Sequence, residues 1–274
     1  MRRVIFNQKG GVGKSTITCN LAAISAAEGK KTLVIDLDPQ GNSTQYISGA
    51  EAIDLTPTVY NFFQDLLTFS FYPTSIEDCI HQTPFPNLAI LPANPLLNDI
   101  QSKLESRYKM YKLRDALDNL QGYEDVYIDT PPALNFYTRS ALIASSSCLI
   151  PFDCDDFSRK ALYTLIENVY EIQNDHNPVL EIEGIIVNNF QPRANLPRQI
   201  VTELIDEGLP VIDAFLSTSV KIRESHEQKK PMIVMAPKHK LTLEYQELYR
   251  KLNSTGKNKE RKQGFDIEEL FLND

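Results

Sequence analysis

The chain has 274 residues and a formal net charge of −8. Forty-two per cent of residues are apolar and 23% charged, ordinary for a globular protein with room for a substantial core. No apolar run reaches the roughly 18 residues of a membrane span, and no apolar segment with a small-residue cleavage site marks a secretory leader. Cys19, Cys79, Cys148 and Cys154 show neither a C-x-x-C pair nor metal-ligand spacing, so free thiols in a reducing cytoplasm are expected.

Residues 2–7 (RRVIFN) predict a short buried strand that runs into the glycine-rich stretch 10–13. Helical spacing follows over 15–28, with Ile17, Leu21, Ile24 and several alanines on one face and Gly29 just beyond. Residues 32–36 (TLVID) form a second predicted strand and close a βαβ unit. Residues 56–82 predict two short helices at the sheet edge. Further strands are expected at 87–93, 125–129, 147–152, 182–188 and 211–215, with helices at 95–120, 134–145, 159–173, 196–207 and 241–252. The strand segments are continuous apolar runs rather than alternating ones, which fits a parallel sheet covered on both faces. The expected fold is α/β: one doubly wound, mostly parallel sheet in a domain of residues 1–253. The polar tail, 254–274, reads either as unstructured or as a short docking helix. It carries Phe265, Ile267, Leu270, Phe271 and Leu272 among acidic residues.

Gln8-Lys9-Gly10-Gly11-Val12-Gly13-Lys14-Ser15-Thr16 lies between a strand and a helix. That is the setting a phosphate cradle requires. Glycines let backbone N–H groups turn inward without a Cβ clash, and the helix N-terminus favours an anion. Lys14 then reaches β- and γ-phosphate oxygens and the Ser15 hydroxyl can ligate Mg²⁺. The usual P-loop begins with glycine; here Gln8 stands in that place and Lys9 precedes the glycines. Asp129, closing the run Val126-Tyr127-Ile128, is placed for a contact to Mg²⁺ through water. Asp36 and Asp38 share one side of an extended chain. One could hold the metal's water shell and the other orient an attacking water, although D-P-Q-G-N is also good turn chemistry.

The motifs Q-K-G-G-V-G-K-S-T, D-L-D-P-Q-G-N and D-T-P-P, in this order, closely resemble the ParA/Soj family of DNA-partitioning ATPases of the deviant Walker class, in its short form without a preceding helix-turn-helix. The resemblance runs from residue 2 to about 252 and is weakest over 53–93. It implies ATP and Mg²⁺ as cofactors. It implies that Lys9 crosses a dimer interface to the partner's nucleotide. It further implies that Gly10, Gly11, Val12, Gly13, Lys14, Ser15 and Thr16 hold the phosphates and metal. Asp38 then positions the hydrolytic water, with Lys9 and Lys14 stabilising charge, while Asp36 and Asp129 serve the metal site and Asn188 reads the adenine. Arg193 and Lys221 fall where Soj-like proteins touch DNA.

Two segments depart from the family pattern: Asp155-Asp156-Phe157-Ser158-Arg159-Lys160, and the pair Ser217 and Lys221, where the family has two arginines. Between residues 218 and 262 there are 12 Lys/Arg against 5 Asp/Glu, in a chain that is acidic elsewhere. The expectation is an ATP-dependent homodimer, cytoplasmic and nucleoid-associated. It gathers Arg193, Lys221, Arg223, Lys229 and Lys230 into a surface for non-specific double-stranded DNA, and a ParB-like partner speeds hydrolysis. The competing reading is a MinD-like membrane-cycling ATPase. It needs a basic amphipathic C-terminal helix, whereas the apolar tail residues here are interleaved with Asp266, Glu268, Glu269 and Asp274. An iron–sulfur electron-transfer ATPase would want two thiolates per subunit near the nucleotide face, an arrangement that Cys148 and Cys154 do not match. The cargo, a replicon or a protein cluster, is left open by the sequence.

Overall fold

The structure, a computed structural model, describes residues 1–49, 54–154, 159–191 and 193–254. Residues 255–274 of the tail, and residues 155–158 of the departing segment, therefore lie outside the described residues. The chain opens with β1 (Arg2–Ile5), α1 (Lys14–Ala27), β2 (Thr32–Asp36) and α2 (Asn42–Ser48). Next come α3 (Val59–Asp65), β3 (His81–Gln82), β4 (Leu88–Leu91), α4 (Leu97–Ser106) and α5 (Lys112–Asn119). The second half runs β5 (Asp125–Asp129), α6 (Phe136–Ala144), β6 (Ser147–Asp153), α7 (Arg159–Asp175), β7 (Glu181–Asn188), α8 (Asn195–Asp206), α9 (Val220–Glu227), α10 (Met232–Met235) and α11 (Lys240–Ser254).

Seven strands form one sheet in the order β3-β4-β2-β5-β1-β6-β7. Every pairing is parallel except β3 with β4. The expected α/β fold, doubly wound with helices on both faces, is what the chain adopts. Period 2 along the central strands divides the core. Val4, Leu33, Ile35, Val126 and Ile128 join one cluster with α3, α4, α5, α6 and α7. Ile5, Val34 and Tyr127 point the other way, to α1, α2 and α11. Both faces are covered, so these strands read as unbroken apolar runs.

Three expected elements differ. Residues 211–215 form no strand; the isolated bridge Ile185↔Val211 joins this segment to β7, and a second bridge, Phe190↔Ser217, lies just beyond both. The segment's N–H groups alternate between β7 carbonyls and short local turns: Ile212 N–H donates to Ile185 O, but Ala214 N–H donates to Ile212 O. The predicted helix over 95–120 is α4 and α5 separated by the 3₁₀ turn Lys109–Tyr111. Tyr108, at φ 53, ends the first helix without a glycine or proline to announce it. The two helices expected within 56–82 are one α-helix, α3, and the single 3₁₀ turn Glu77–Cys79, followed by the short antiparallel strand β3.

At the N-terminal edge of the sheet Arg3, only 1% exposed, donates to both carboxylate oxygens of Glu183 at 2.8 and 2.9 Å. Ser147 Oγ donates to the same carboxylate at 2.7 Å, which ties β1, β6 and β7 together. Removing one partner of a buried pair strands the other charge. Glu183→Ala is expected to lower the unfolding free energy by about 3–5 kcal/mol, measured as a fall in the urea midpoint, with no change in the slope of the transition.

Candidate nucleotide site

The loop after β1 is organised by its own polar groups. Asn7 Nδ2 donates to Pro151 O at 2.7 Å, and Asn7 Oδ1 accepts from Lys9 N at 2.9 Å. Gly11 and Gly13 sit at φ 80 and 90, where a side chain would be strained. Gly13 also lacks room: a Cβ there would lie 2.4 Å from Asn188 Nδ2. Asn188, at the end of β7, donates to Val12 O at 3.0 Å and so braces the loop from behind. α1 starts immediately after Gly13, and its first N–H groups face the loop's concavity.

Lys14 is 7% exposed, and its Nζ donates to Lys9 O at 2.8 Å. Burial lowers its pKa, while Asp129 and Asp38 oppose that shift. Asp129 has one oxygen satisfied by Ser43 Oγ at 2.7 Å; the other, Oδ1, is buried with no hydrogen-bond partner among the described residues. Burial pushes the Asp129 carboxyl up to about 6, against the Ser15 and Ser43 hydroxyls. Asp36, its register partner on β2, is also driven upward, by burial and then by Asp129.

Asp36 and Asp38 have separate fates. Asp36 Oδ2 accepts from Thr44 N and Thr44 Oγ1, both at 2.8 Å, and Oδ1 accepts from Asp38 N at 3.1 Å. It therefore anchors the first turn of α2 rather than facing open space. Asp38 lines a cavity of about 460 Å³, its Oδ1 held by Gln40 N at 3.0 Å.

That cavity is walled by Gly10, Gly11, Gly13, Lys14, Ser15 and Thr16 from the loop and α1, and by Asp38 and Gln40 after β2. Asn42, Gln45 and Tyr46 of α2, with Pro132, His226 and Lys229, complete it. The volume falls in the usual range for a small-molecule site. A glycine-lined anion nest open to solvent, a largely buried ammonium and a buried carboxylate oxygen with no partner among the described residues suit a phosphorylated ligand with a hard cation. The donor set of Ser15 hydroxyl and Asp129 carboxylate is all oxygen, as Mg²⁺ prefers. Sequence reasoning missed Asn42, Gln45, Tyr46 and His226. Asn42 closes the D-P-Q-G-N stretch read as turn chemistry, Gln45 and Tyr46 follow it in a stretch without a predicted element, and His226 follows a polar run with little apolar periodicity.

Of the residues expected to touch DNA, Arg193 is exposed on the loop before α8. Thr218 Oγ1 donates to Asn189 O at 3.2 Å, and with the Phe190↔Ser217 bridge this sets that loop beside the start of α9. Lys221 and Arg223 are on α9, Lys221 paired with Glu224 at 2.6 Å, and Lys230 is exposed just after it. Lys229 instead turns into the cavity wall and donates to Gly49 O at 3.0 Å.

Residues 3–182 match the AAA domain family. The chain is 34% identical over 253 residues to the chromosome partitioning protein ParA of Myxococcus xanthus, covering 90% of this chain and 86% of that protein. This chain belongs to the ParA/Soj family of ATPases. A second member, the sporulation initiation inhibitor protein Soj of Bacillus subtilis, is 32% identical over 255 residues, 92% of this chain and 98% of Soj. In fold, the chain is similar to cobyrinic acid a,c-diamide synthase from Mycobacterium smegmatis solved with ADP and magnesium: TM-score 0.81, 24% identity, 96% of this chain and 98% of that one. No helix among the described residues is long and apolar enough to cross a membrane.

An aspartate whose folded pKa lies above its unfolded value costs stability when ionised. For Asp129 that cost is present above about pH 6 and is relieved as pH falls through 6 toward the unfolded value near ~4. In the ligand-free protein, Asp129→Asn is therefore expected to gain on the order of 2 kcal/mol over wild type at pH 8. That advantage should shrink at pH 5, as read from paired thermal or urea melts.

Proposed function

We propose that the chain is a ParA-like ATPase that hydrolyses ATP with Mg²⁺, dimerises on ATP and binds double-stranded DNA without reading its sequence. A ParB-like partner protein stimulates it, and the cycle segregates or positions a plasmid, chromosome or other cargo in the cytoplasm at the nucleoid. The observation that carries this reading is the glycine nest closed by Lys14, with the partnerless oxygen of Asp129 beneath it.

In this reading the loop amides and the N-terminus of α1 bind the triphosphate, and Lys14 holds its β- and γ-oxygens. Ser15, directly, and Asp129, through water, would hold Mg²⁺, which supplies neutralisation of phosphate charge. Asp38, fixed by the Gln40 amide, orients the water that attacks the γ-phosphorus. Asp36 supports it from behind by accepting the Asp38 N–H. Asn188 sits close enough to the loop for its far side to meet the base. Lys9 reaches the nucleotide of a second copy, so that hydrolysis and dimer opening are linked. Arg193, Lys221, Arg223 and Lys230 then lie along the DNA phosphates, with Lys229 closer to the nucleotide than to the DNA.

Lys14→Ala is expected to abolish binding of a fluorescent ATP analogue while leaving the far-ultraviolet spectrum intact; unchanged affinity would remove the phosphate role. DNA binding measured with ATP, with ADP and without nucleotide, at two salt concentrations, tests the rest. The ATP state should bind tightest, and Arg193→Ala with Lys221→Ala should weaken binding equally on all sequences, lowering the salt slope by about 1 per residue. Equal affinity in all three nucleotide states would sink the proposal.

A further inference from the structure

α9 is held in an unusual way for a helix. It has eight residues and fully buries only Ser225. Apart from half-buried Ile222, what fixes it is a set of side chains around the nucleotide cavity. His226 Nε2 lies 2.9 Å from Thr16 Oγ1 on α1. Its ring stacks on Tyr46 of α2, with centroids 4.0 Å apart and planes within 18°. Tyr46 OH meets Ser225 Oγ at 2.6 Å. Asn20 of α1 closes the cluster, donating to Tyr46 OH at 3.2 Å and to Thr16 O at 2.9 Å. Thr16, Tyr46 and His226 all line the cavity. An element with so little apolar burial is among the easiest to displace.

The Thr16 hydroxyl has one proton and can accept from two sides. With the cavity empty, that proton is free to go to His226 Nε2. A phosphate oxygen beside Thr16 only accepts, so the hydroxyl donates its hydrogen bond there, and the imidazole must then donate from Nε2. Burial favours the neutral ring, so the ligand selects one tautomer. The resulting chain, N–H to O–H to phosphate oxygen, is polarised along its length and each bond strengthens the next.

We propose that His226 is a positioning residue that reads occupancy of the cavity through the Thr16 hydroxyl and thereby sets where α9, with Lys221 and Arg223, stands. That the movement bears on DNA rests on the function proposed above; the coupling between cavity and helix does not.

The test pairs hydrogen–deuterium exchange of the α9 amides with DNA binding, each with and without a saturating, slowly hydrolysed ATP analogue and Mg²⁺. Wild type, His226→Phe, His226→Gln and Thr16→Val are compared. Phe keeps the ring against Tyr46 and removes the donor; Gln supplies a donor without the ring. In wild type the analogue is expected to slow α9 exchange by about 5-fold or more. His226→Phe and Thr16→Val should respond by less than about 2-fold, and His226→Gln should regain most of the response. Should His226→Phe fail to fold, Thr16→Val asks the same question from the other end of the bond. Wild-type α9 exchange indifferent to the analogue overturns the proposal. So does a full response in His226→Phe or Thr16→Val, or a His226→Gln variant no better than Phe. If α9 responds as expected but DNA affinity ignores nucleotide, the coupling stands and the DNA reading falls. If DNA binding depends on ATP in wild type and His226→Phe alike, the DNA reading stands and the claim that His226 sets the working position of Lys221 and Arg223 falls.

Discussion

Two aspartates end neighbouring parallel strands in register, Asp36 on β2 and Asp129 on β5, and neither has any contact with solvent. Like charges so placed resist ionisation and demand donors. α2 supplies them: Thr44 serves Asp36 and Ser43 serves Asp129. These hydrogen bonds fix α2 together with the burial of Tyr46 and Ile47 in the core. From that position Tyr46 reaches Asn20 and Ser225, so the carboxylate pair indirectly fixes the far wall of the cavity. Among the described residues one oxygen of Asp129 is left over, and the Lys14 ammonium has a backbone carbonyl, Lys9 O, as its hydrogen-bonded partner. The ligand-free protein holds unresolved charge at this edge, which is what a phosphate and a cation together would neutralise.

What could be read in the sequence was what is local along the chain. The P-loop is nine consecutive residues, and the central strands are short apolar runs, so both are visible without any tertiary knowledge. α2 was hidden because the residues that lead into it, Asp38 to Asn42, have turn chemistry, and Gly41 gives the helix no side-chain cap. Its stabilising acceptor is Asp36, which belongs to a strand. α9 was hidden because its apolar stripe is weak and its partners lie about 180 to 210 residues away in sequence. Alternation placed Asp36 and Asp38 on one side, but the strand ends at Asp36, and beyond it period 2 no longer applies.

Charge was legible in amount and not in disposition. The basic excess after residue 218 suggested one broad cationic face. In the fold Lys221 is paired with Glu224, Lys251 with Asp213 and Arg250 with Glu247, and Lys229 turns toward the cavity. Arg223 and Lys230 are the exposed remainder around α9, with Arg193 on the adjoining loop. A count of residues overstates such a surface, because neighbouring carboxylates cancel part of its field.

The sheet order also bears on how the chain is made. β1 occupies a central slot between β5 and β6. Its partner Val126 lies 124 residues further on. At about 5–20 residues per second, synthesis takes roughly 6–25 s to supply that neighbour. Until then the RRVI segment is an unpaired strand edge during translation, and early protection by a chaperone, or delayed collapse, falls on the same residues that later lead into the phosphate loop.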